Sequence, residues 1–307
     1  MRHIDLHSHT RYSDGTSTVE NTLRSANELH LSILSVTDHN NVNAYGEIMQ
    51  KRDLFGGAIL PGVELGTVFD GELIEILGYG IDLATMEALI RERYLTFHDK
   101  QVKGAALDVN AVIASGAVLD DDFIRAMRET PDQIFDPNHE TNRPYLLKEL
   151  QLHPENQRFF ANREEFESID AQTFSRKYLF NAKSALYSDQ SSLFPSPKEV
   201  VHMIHQSGGI AFLAHPWIYA KDFTDRLEGI LPMLGVDGVE CVYGTFTEEQ
   251  QHILSQLCDK LGLFKSGGSD FHGLDMRPQN LMGLANGIPI DENLILPWLD
   301  TMRDRLI

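Results

Sequence analysis

The sequence has 307 residues, of which 42% are hydrophobic and 23% are charged, a composition typical of a globular protein with a sizeable core. Asp and Glu number 45 against 26 Lys and Arg, and the formal charge of -19 leaves no basic surface for duplex nucleic acid. Any phosphate group that this protein binds must therefore be attracted by local charges.

The cysteine content and hydropathy of the chain indicate its compartment. Cys241 and Cys258 are too few for a disulfide framework, and we expect both thiols to be buried as packing groups. The chain is polar from residue 2 onward, and no apolar run approaches the length that spans a bilayer. These features predict a cytoplasmic protein that is neither secreted nor inserted in a membrane.

Strands and helices alternate in the first part of the chain. The opening "HIDLHSH" predicts a short strand with His3, Asp5, His7 and His9 on one face, because strand side chains alternate. The next segment, "STVENTLRSANELHL", predicts a helix with a capping box at its start, formed by Ser17 and Glu20. Apolar strands follow in "LSILSVTDHN", "GGAILPGVELG" and "ELIEILGYG". This order is typical of the α/β class.

The same alternation resumes at residue 196. The segments "SPKEVVHMIHQSGG" and "TEEQQHILSQLCDKLG" predict capped helices, and "GIAFLAHP", "DGVECVY" and "LFKSGGSDFHG" predict strands. The intervening residues 83–195 contain long polar stretches and predict a small, mostly helical insert. We therefore expect a discontinuous domain of residues 1–82 and 196–307, interrupted by a second domain.

Ionisable side chains recur where the predicted strands end. In parallel α/β barrels the carboxyl ends of the strands form one face, on which catalytic groups converge. Each of these residues taken singly is compatible with a satisfied core histidine, a helix cap or a loop carboxylate. Seven of them on at least five strands favour a shared site. They are His7, His9, His39, Glu64, His215, Asp270 and His272.

Two further acidic residues belong to the same region. Asp14 in "RYSDGT" is compatible with ordinary turn chemistry as well as with a role in the site. Asp5 precedes His7 by two residues, and we predict that it orients the imidazole of His7 through the other ring nitrogen.

The ordered motifs "HSHT", "SDG", "TDHN", "PGVE", "LGY", "AHP" and "GSDFHG" resemble those of the PHP family, the polymerase and histidinol phosphatase domain. The resemblance covers residues 1–82 and 196–275. It implies a distorted (β/α)7 barrel that binds two or three divalent metal ions, of Mn, Fe, Zn or Mg, and hydrolyses phosphoesters.

Carried onto this chain, the resemblance implies three metal sites. The first would use His7, His9, Glu64 and Asp270, which would also be the catalytic residues. The second would share Glu64 and add His215, and the third would use Asp14, His39 and His272.

The chain departs from the family pattern at Glu75, where the family commonly has a histidine two residues before the Leu of "LGY". Glu75 lies in the apolar run "LIEIL", and an unpaired carboxylate is costly to bury as an anion. We therefore expect Glu75 to bind the second metal, with a buried salt bridge to a helix Lys or Arg as the alternative.

The insert contains a second motif. Family members with a helical insert include phosphoesterases that act on nucleoside phosphates and short oligonucleotides, and an Arg-Pro-His-Phe element lies in their inserts. The segment "NRPYLL" resembles this element, with Tyr145 in place of the histidine. We expect Arg143 to hold a substrate phosphate, the alternative being a solvated surface arginine, and we expect the insert to cover the strand ends as a lid.

The predicted function is metal-dependent hydrolysis of a small phosphorylated substrate by a metal-activated hydroxide. The substrate would be a nucleoside phosphate, a nucleoside bisphosphate or a short single-stranded oligonucleotide. Three alternatives are a metal-dependent amidohydrolase, a histidinol-phosphate phosphatase, and a non-catalytic metal-stabilised module that binds nucleotides or a protein. The sequence leaves the oligomeric state open.

Overall fold

The strands form a closed ring in the computed structural model, which describes residues 2–307. A three-stranded parallel sheet has the order β1 (His3–Asp5), β2 (Leu31–Leu34), β3 (Ala58–Ile59). A five-stranded sheet has the order β4 (Gly62–Phe69), β5 (Glu72–Tyr79), β6 (Ile210–Leu213), β7 (Gly238–Tyr243), β8 (Phe264–Gly268). A separate two-stranded hairpin pairs β9 (Leu284–Ala285) with β10 (Ile288–Pro289).

Only Leu60 and Pro61 separate β3 from β4, so these two strands count as one interrupted strand of a seven-stranded barrel. Backbone hydrogen bonds between the two sheets close the ring. The N–H of Leu6 donates to Gly267 O at 3.3 Å, and the N–H of Asp270 donates to His7 O at 2.8 Å. The predicted α/β class and distorted barrel are confirmed.

The helices connect these strands and form the insert. In chain order they are α1 (Val19–Glu28), α2 (Ala44–Gln50), α3 (Leu83–Arg93), α4 (Phe97–Ala114), α5 (Asp121–Glu129), α6 (Arg143–Leu152), α7 (Arg163–Ser168), α8 (Ala171–Phe174), α9 (Pro197–Gln206), α10 (Lys221–Thr224), α11 (Leu227–Leu234), α12 (Glu248–Leu261) and α13 (Leu296–Leu299). The N-cap of α1 is Thr18, which accepts a hydrogen bond from Asn21 N, so the predicted cap at Ser17 was one residue early. None of the helices in residues 2–307 combines the length and the apolar character that a membrane span requires.

Strand β5 runs opposite to its neighbours. It pairs antiparallel with β6, and a turn at Asp70 and Gly71 connects it to β4. Because β5 is reversed, its amino end lies at the edge where the parallel strands have their carboxyl ends. Glu75 O accepts a hydrogen bond from Ala214 N at 3.0 Å, so Glu75 lies level with the residue that precedes His215.

The chain divides into two compact units. The first comprises the residues up to Thr67, Ile74–Glu92 and Pro197–Ile307, and the second comprises Val68–Leu73 and Arg93–Ser196. The first unit has an apolar core in which Trp298 of α13 stacks on Tyr79, with ring centroids 5.9 Å apart. The second unit has its own core, with fully or nearly fully buried side chains from α4, α5, α6 and α8 that include Val109, Met127, Leu146, Leu150 and Phe174.

Close approach of β8 to the segment after β1 requires glycine at position 268. A Cβ atom on Gly268 would lie 2.2 Å from the Cβ of His7, far inside van der Waals contact. This glycine therefore allows the two strand ends that carry His7 and Asp270 to lie side by side.

Candidate metal centre

The structure brings all nine predicted metal-ligating side chains together in the first unit. Each has a nitrogen or carboxylate oxygen within 3.7 Å of an oppositely charged partner in the set. The nine are His7, His9, Asp14, His39, Glu64, Glu75, His215, Asp270 and His272. Most follow the carboxyl ends of parallel strands, while Glu75 comes from the reversed strand β5. The barrel topology thus places a single cluster at one edge.

Two imidazoles and two carboxylates form the centre of the cluster. The Nε2 atom of His7 lies 3.3 Å from Glu64 Oε1 and 3.3 Å from Asp270 Oδ1. The Nε2 atom of His9 lies 3.2 Å from Glu64 Oε2 and 3.2 Å from Asp270 Oδ1. The two Nε2 atoms are 3.1 Å apart. All four side chains are buried, so their ligand atoms face one another and not bulk water.

A second group surrounds Glu64 on its other side. His215 Nε2 lies 3.1 Å from Glu64 Oε1 and 3.2 Å from Glu75 Oε2. Glu75 Oε1 lies 3.4 Å from His39 Nδ1. The Glu75 side chain is 26% exposed, less deeply buried than the apolar run around it suggested, and Leu73 two residues before it on the same strand is exposed as well. Glu75 faces the histidines His39 and His215, and its ion pairs within residues 2–307 include no Lys or Arg.

A third group gathers around Asp14. Its Oδ1 atom lies 3.1 Å from His272 Nε2, 3.5 Å from His39 Nε2 and 3.7 Å from His9 Nδ1. Asp14 is the most exposed member of the cluster, with a 41% exposed side chain. His39 has Nδ1 towards Glu64 and Nε2 towards Asp14, so this one imidazole joins the second group to the third.

Glu240 on β7 holds two of the histidines, and the sequence analysis did not identify it. The Nδ1–H of His7 donates to Glu240 Oε1 at 2.9 Å, and the backbone N–H of His215 donates to Glu240 Oε2 at 2.8 Å. Because Nδ1 of His7 carries the proton, its Nε2 lone pair is directed at the centre. A fully buried glutamate inside the apolar strand "GVECVY" was the signal that could have identified it.

The role predicted for Asp5 was therefore wrong. Asp5 accepts hydrogen bonds from the backbone N–H of Ser269 at 2.9 Å, from the Ser269 hydroxyl at 2.6 Å and from Gly283 N at 2.8 Å. Its contact with His7 goes to the backbone N–H at 3.2 Å, because β1 ends at Asp5 and its side-chain alternation does not continue. Asp5 thus ties the segment after β8 to β1 and does not orient the imidazole.

Other histidines are oriented in the same manner as His7. The Nδ1–H of His272 donates to the backbone oxygen of Asp270 at 2.9 Å, which leaves Nε2 facing Asp14. The Nδ1 atom of His9 lies 3.4 Å from the hydroxyl of Ser13, which donates to Asp38 Oδ1 at 2.6 Å. These contacts fix ring orientation, and ligand histidines typically have such partners.

Asp270 has two supports that the sequence analysis also missed. The hydroxyl of Tyr243 donates to Asp270 Oδ2 at 2.7 Å, and the guanidinium of Arg277 forms an ion pair with the same oxygen. The other oxygen, Oδ1, is the one that faces His7 and His9. One carboxylate oxygen is thus held in place while the other is presented to the centre.

Two residues of the cluster have left-handed backbone conformations that glycine would adopt more easily. His215 has φ 27° and Asp270 has φ 54°, and each is the second residue after its strand, β6 or β8. For a non-glycine residue such conformations cost about 1 to 3 kcal/mol and are concentrated at functional sites. The hydrogen bond from His215 N to Glu240 helps to hold the strained turn after β6.

The imidazoles and carboxylates of the cluster shift one another's pKa values. Burial alone would lower the pKa of His39, but the charges of Glu64 and Glu75 outweigh burial and raise it to about 10. For His215, burial is likewise outweighed by hydrogen bonds to Glu64 and Glu75, and its pKa is raised to about 10. Burial would raise the pKa of Glu64, yet the charges of His7 and His39 hold it well below its usual value. Protonated imidazoles thus neutralise the carboxylates, and a bound metal ion would displace those protons.

The donor set fits divalent metal ions. The 3.1 Å contact between His7 Nε2 and His9 Nε2 would place two lone pairs together once Glu240 and Ser13 take the Nδ1 protons, and either a proton or a metal ion between the rings relieves that repulsion. Glu64 Oε2 and His272 Nε2 are buried, and their polar neighbours among residues 2–307 are other side chains of the cluster. Imidazole nitrogens with carboxylate oxygens are ligands that suit Zn, Fe and Mn.

Arg143 lies in the second unit, at the start of α6. Its guanidinium carbon is 4.5 Å from the centre of the Phe180 ring, and its Nε atom is buried with no hydrogen-bond partner within the described chain. The charge of the buried Asp108 acts on it, and Asp108 accepts hydrogen bonds from Asn142 Nδ2 at 2.7 Å and Gln190 Nε2 at 2.7 Å. Arg143 is thus half-buried and stacked, and its contact with a phosphate stays a prediction.

Known proteins resemble this chain over most of its length. The sequence model of the PHP domain matches residues 5–162. The 3',5'-nucleoside bisphosphate phosphatase of Chromobacterium violaceum is 28% identical over 281 residues, which cover 89% of this chain and 88% of that protein. A 5'-3' exoribonuclease of Haemophilus influenzae is 26% identical over 305 residues, which cover 96% of this chain and 97% of that protein.

A solved structure has the same fold. An amidohydrolase from Chromobacterium violaceum, with bound sulfate and no metal, superposes with a TM-score of 0.63 at 25% sequence identity. The match covers 99% of this chain and 97% of that one. The barrel and the insert therefore both have counterparts in that protein.

Proposed function

The chain belongs to the PHP domain family, a family of metal-dependent phosphoester hydrolases, and we propose that its substrates are nucleoside 3',5'-bisphosphates or short single-stranded oligonucleotides. The observation that carries this proposal is the cluster of nine imidazole and carboxylate side chains at one edge of the barrel. Two or three divalent cations, of Mn, Fe, Zn or Mg, would be held by this cluster.

The assignment of ligands to sites is part of the proposal. His7, His9, Glu64 and Asp270 hold one ion, Glu64, His215 and Glu75 hold a second, and Asp14, His39 and His272 hold a third. Four groups of donor atoms within 4.8 Å of one another support this assignment: His7 with His9 and Asp270, His7 with Glu64 and His215, Glu75 with Glu64 and His39, and His9 with Asp14, His39 and His272.

Divalent cations in such a centre cancel the negative charge of a phosphate ester and lower the pKa of a bound water. The protein's own residues prepare the centre for this chemistry. Glu240 and the backbone oxygen of Asp270 take the Nδ1 protons of His7 and His272, so that Nε2 of each ring is free to bind a cation. Neither Cys241 nor Cys258 is needed as a nucleophile, and both are buried.

The names of the relatives support the substrate class. The bisphosphate phosphatase and the exoribonuclease both act on phosphoesters of nucleotides, and both align with the barrel and the insert together. The sulfate in the related solved structure is a tetrahedral dianion, bound there without a metal. We propose that a group of this protein also holds a phosphate oxygen directly.

We assign phosphate binding in part to Arg143, which lies in the insert. The insert would act as a lid over the strand ends. The ring of Phe180 and the charge of Asp108 restrict the guanidinium of Arg143, which reduces the entropy lost when it binds an anion. Arginine can also grip two oxygens of one phosphate at once. A second phosphate on the substrate, remote from the bond that is cleaved, suits a clamp on the insert.

Hydrolysis by the protein reconstituted with Mn(II), Fe(II) or Zn(II) tests the substrate class directly. We expect turnover of nucleoside 3',5'-bisphosphates or of short oligonucleotides to exceed that of nucleoside 5'-monophosphates and histidinol phosphate, and we expect a chelator to abolish it. Preferential turnover of histidinol phosphate would instead identify a histidinol-phosphate phosphatase. Stoichiometric metal binding without hydrolysis of any phosphoester in the panel would contradict the proposal.

The clamp is tested by replacing Arg143 with glutamine. We expect KM for a nucleoside 3',5'-bisphosphate to rise by about 10- to 100-fold, because a charge-assisted contact worth roughly 1.5 to 3 kcal/mol is lost. Turnover of a small phosphomonoester such as p-nitrophenyl phosphate should change little. Arg163→Gln is the matched control, since Arg163 is exposed in the same unit and pairs with Glu167 at 2.7 Å. If KM and kcat are unchanged in Arg143→Gln, Arg143 is not the clamp.

A further inference from the structure

Besides Arg143 in the insert, a second arginine, Arg277, contacts the cluster of nine side chains directly. Arg277 follows His272 in the loop after β8, and its guanidinium pairs with Oδ2 of Asp270. Within residues 2–307, it is the only Lys or Arg that forms an ion pair with one of the nine clustered side chains. Among the described residues, Arg277 therefore supplies the Lys or Arg charge that lies in direct contact with this cluster.

Most hydrogen-bond donors of Arg277 are free. A guanidinium has five N–H groups in a rigid fork, and the contacts that Arg277 makes to the described residues account for the side facing Asp270. Its side chain is 31% exposed, so it lies between the buried Asp270 carboxylate and solvent. An arginine held at one end and open at the other is suited to bind an oxyanion.

The electrostatic surroundings keep Arg277 charged and close to the reacting groups. An arginine side chain stays protonated in proteins, and the guanidinium of Arg277 lies against Asp270 and near Asp14 and Glu64. These three carboxylates belong to the proposed metal centre. A phosphate drawn to that centre would meet the guanidinium at short range, which matters in a protein with a net charge of -19.

We propose that Arg277 binds a non-bridging oxygen of the phosphate group that undergoes hydrolysis. This inference rests on the proposed function, and it names a phosphate-binding group on the barrel that is separate from Arg143 on the insert. The free donors stabilise the charge that builds up on the phosphate oxygens during displacement, while the bond to Asp270 sets the direction of the fork. Arg277 thus does for the scissile phosphate what Arg143 does for a remote one.

The ion pair between Arg277 and Asp270 has an alternative explanation, in which Arg277 only holds Asp270 in position and does not bind phosphate. Tyr243 separates the two explanations because its hydroxyl donates to the same Asp270 oxygen, Oδ2, at 2.7 Å. Tyr243→Phe removes a support of Asp270 without removing a cation. If Arg277 acts only as a support, Tyr243→Phe and Arg277→Gln should have similar effects.

The experiment compares Arg277→Gln, Arg277→Lys, Tyr243→Phe and the wild type, each reconstituted with Mn(II). We measure metal content per chain by elemental analysis, the Kd for inorganic phosphate by calorimetry, and kcat and KM for the best substrate. Arg277→Gln should retain the metal content and bind inorganic phosphate about 10- to 100-fold more weakly. Arg277→Lys should recover part of that loss, because it keeps the charge without the fork. Tyr243→Phe should leave the Kd for phosphate unchanged.

Arg24→Gln is the matched control, since Arg24 is an exposed arginine of the same unit that pairs with Glu20 at 3.0 Å. An unchanged Kd for phosphate in Arg277→Gln would overturn the proposal. Loss of metal from Arg277→Gln, or an equal loss of phosphate affinity in Tyr243→Phe, would assign Arg277 to positioning instead. Arg277→Lys keeps the test decisive if the glutamine variant fails to fold. Inorganic phosphate contains no nucleoside. The Kd for phosphate therefore tests the role of Arg277 even if nucleoside bisphosphates and oligonucleotides prove not to be the substrates.

Discussion

Replacing Asp270 with alanine is expected to lower kcat/KM for phosphoester hydrolysis by more than about a thousandfold while the barrel stays folded. Loss of an outer partner of a metal ligand typically costs about 10- to 100-fold, and Asp270 is proposed as a ligand itself. Its Oδ1 atom lies within 3.3 Å of Nε2 of both His7 and His9, so its removal opens the middle of the cluster. His9→Ala should have a comparable effect for the same reason.

The alanine variant has one structural side effect that a second variant avoids. Asp270 has φ 54°, a conformation that is costly for alanine and easier for asparagine, whose short polar side chain tolerates the left-handed region. Asp270→Asn therefore keeps the backbone and the shape of the side chain while removing its charge. We expect Asp270→Asn to lose activity and one metal equivalent without the loss of thermal stability expected for Asp270→Ala.

Circular dichroism, metal analysis and initial rates on the same samples check this expectation. Asp225→Ala is a suitable control, because Asp225 is an exposed acid of the same unit that pairs with Lys221 at 2.7 Å. Near-normal turnover in metal-loaded Asp270→Asn or His9→Ala would contradict the assignment of the first site. The first site would then have to be built on Glu64 and its other neighbours.

The sequence predicted that the ionisable side chains meet in one cluster because topology, and not fine geometry, determines this. Parallel strands end at one edge of a barrel, so ionisable residues at those ends meet whatever the exact twist of the sheet. His39 and His215 are far apart in sequence, yet both face Glu64 within 3.1 Å. This part of the site required only the order of strands and helices.

The supporting residues were missed because their roles depend on side-chain direction. Asp5 shares the predicted strand face with His7, but β1 ends at Asp5, and the chain turns before the imidazole. Glu240 and Tyr243 lie on a strand with an irregular register next to β8, so counting alternate positions did not reveal which side chains face the centre. Arg277 lies in an irregular loop, where the sequence gives no period from which to infer direction.

The reversed strand β5 had a signal in the sequence that was not used. The Asp-Gly pair at positions 70 and 71, between two apolar segments, is a common hairpin turn, and it predicts that β4 and β5 are antiparallel. With that reading, the site-facing residue of β5 is expected in its amino-terminal half, and Glu75 is the fourth of its eight residues. The expectation that polar residues follow strand ends applies only to the parallel strands.

Glu75 is the position at which this chain departs from the family pattern, and its two oxygens face two different histidines. Oε1 lies 3.4 Å from His39 Nδ1, and Oε2 lies 3.2 Å from His215 Nε2. A carboxylate is a harder ligand than the imidazole that the family pattern has there, so we expect it to favour Mn, Fe or Mg over Zn at the second site.

We expect Glu75→Ala to lose one metal equivalent and most of its phosphoesterase activity, because Glu64 and His215 alone leave the second site with too few ligands. Glu75→His should keep the metal content and shift the preference towards Zn, measured as the ratio of Zn to Mn bound from an equimolar mixture. Glu228→Ala, at an exposed acid that pairs with Lys260 at 2.7 Å, controls for the loss of one negative charge.

A Glu75→Ala protein with full metal content and near-normal turnover would show that Glu75 only pairs with protonated His39 and His215. The raised pKa values of those two histidines would then be the main consequence of its charge, and the second site would rest on Glu64 and His215.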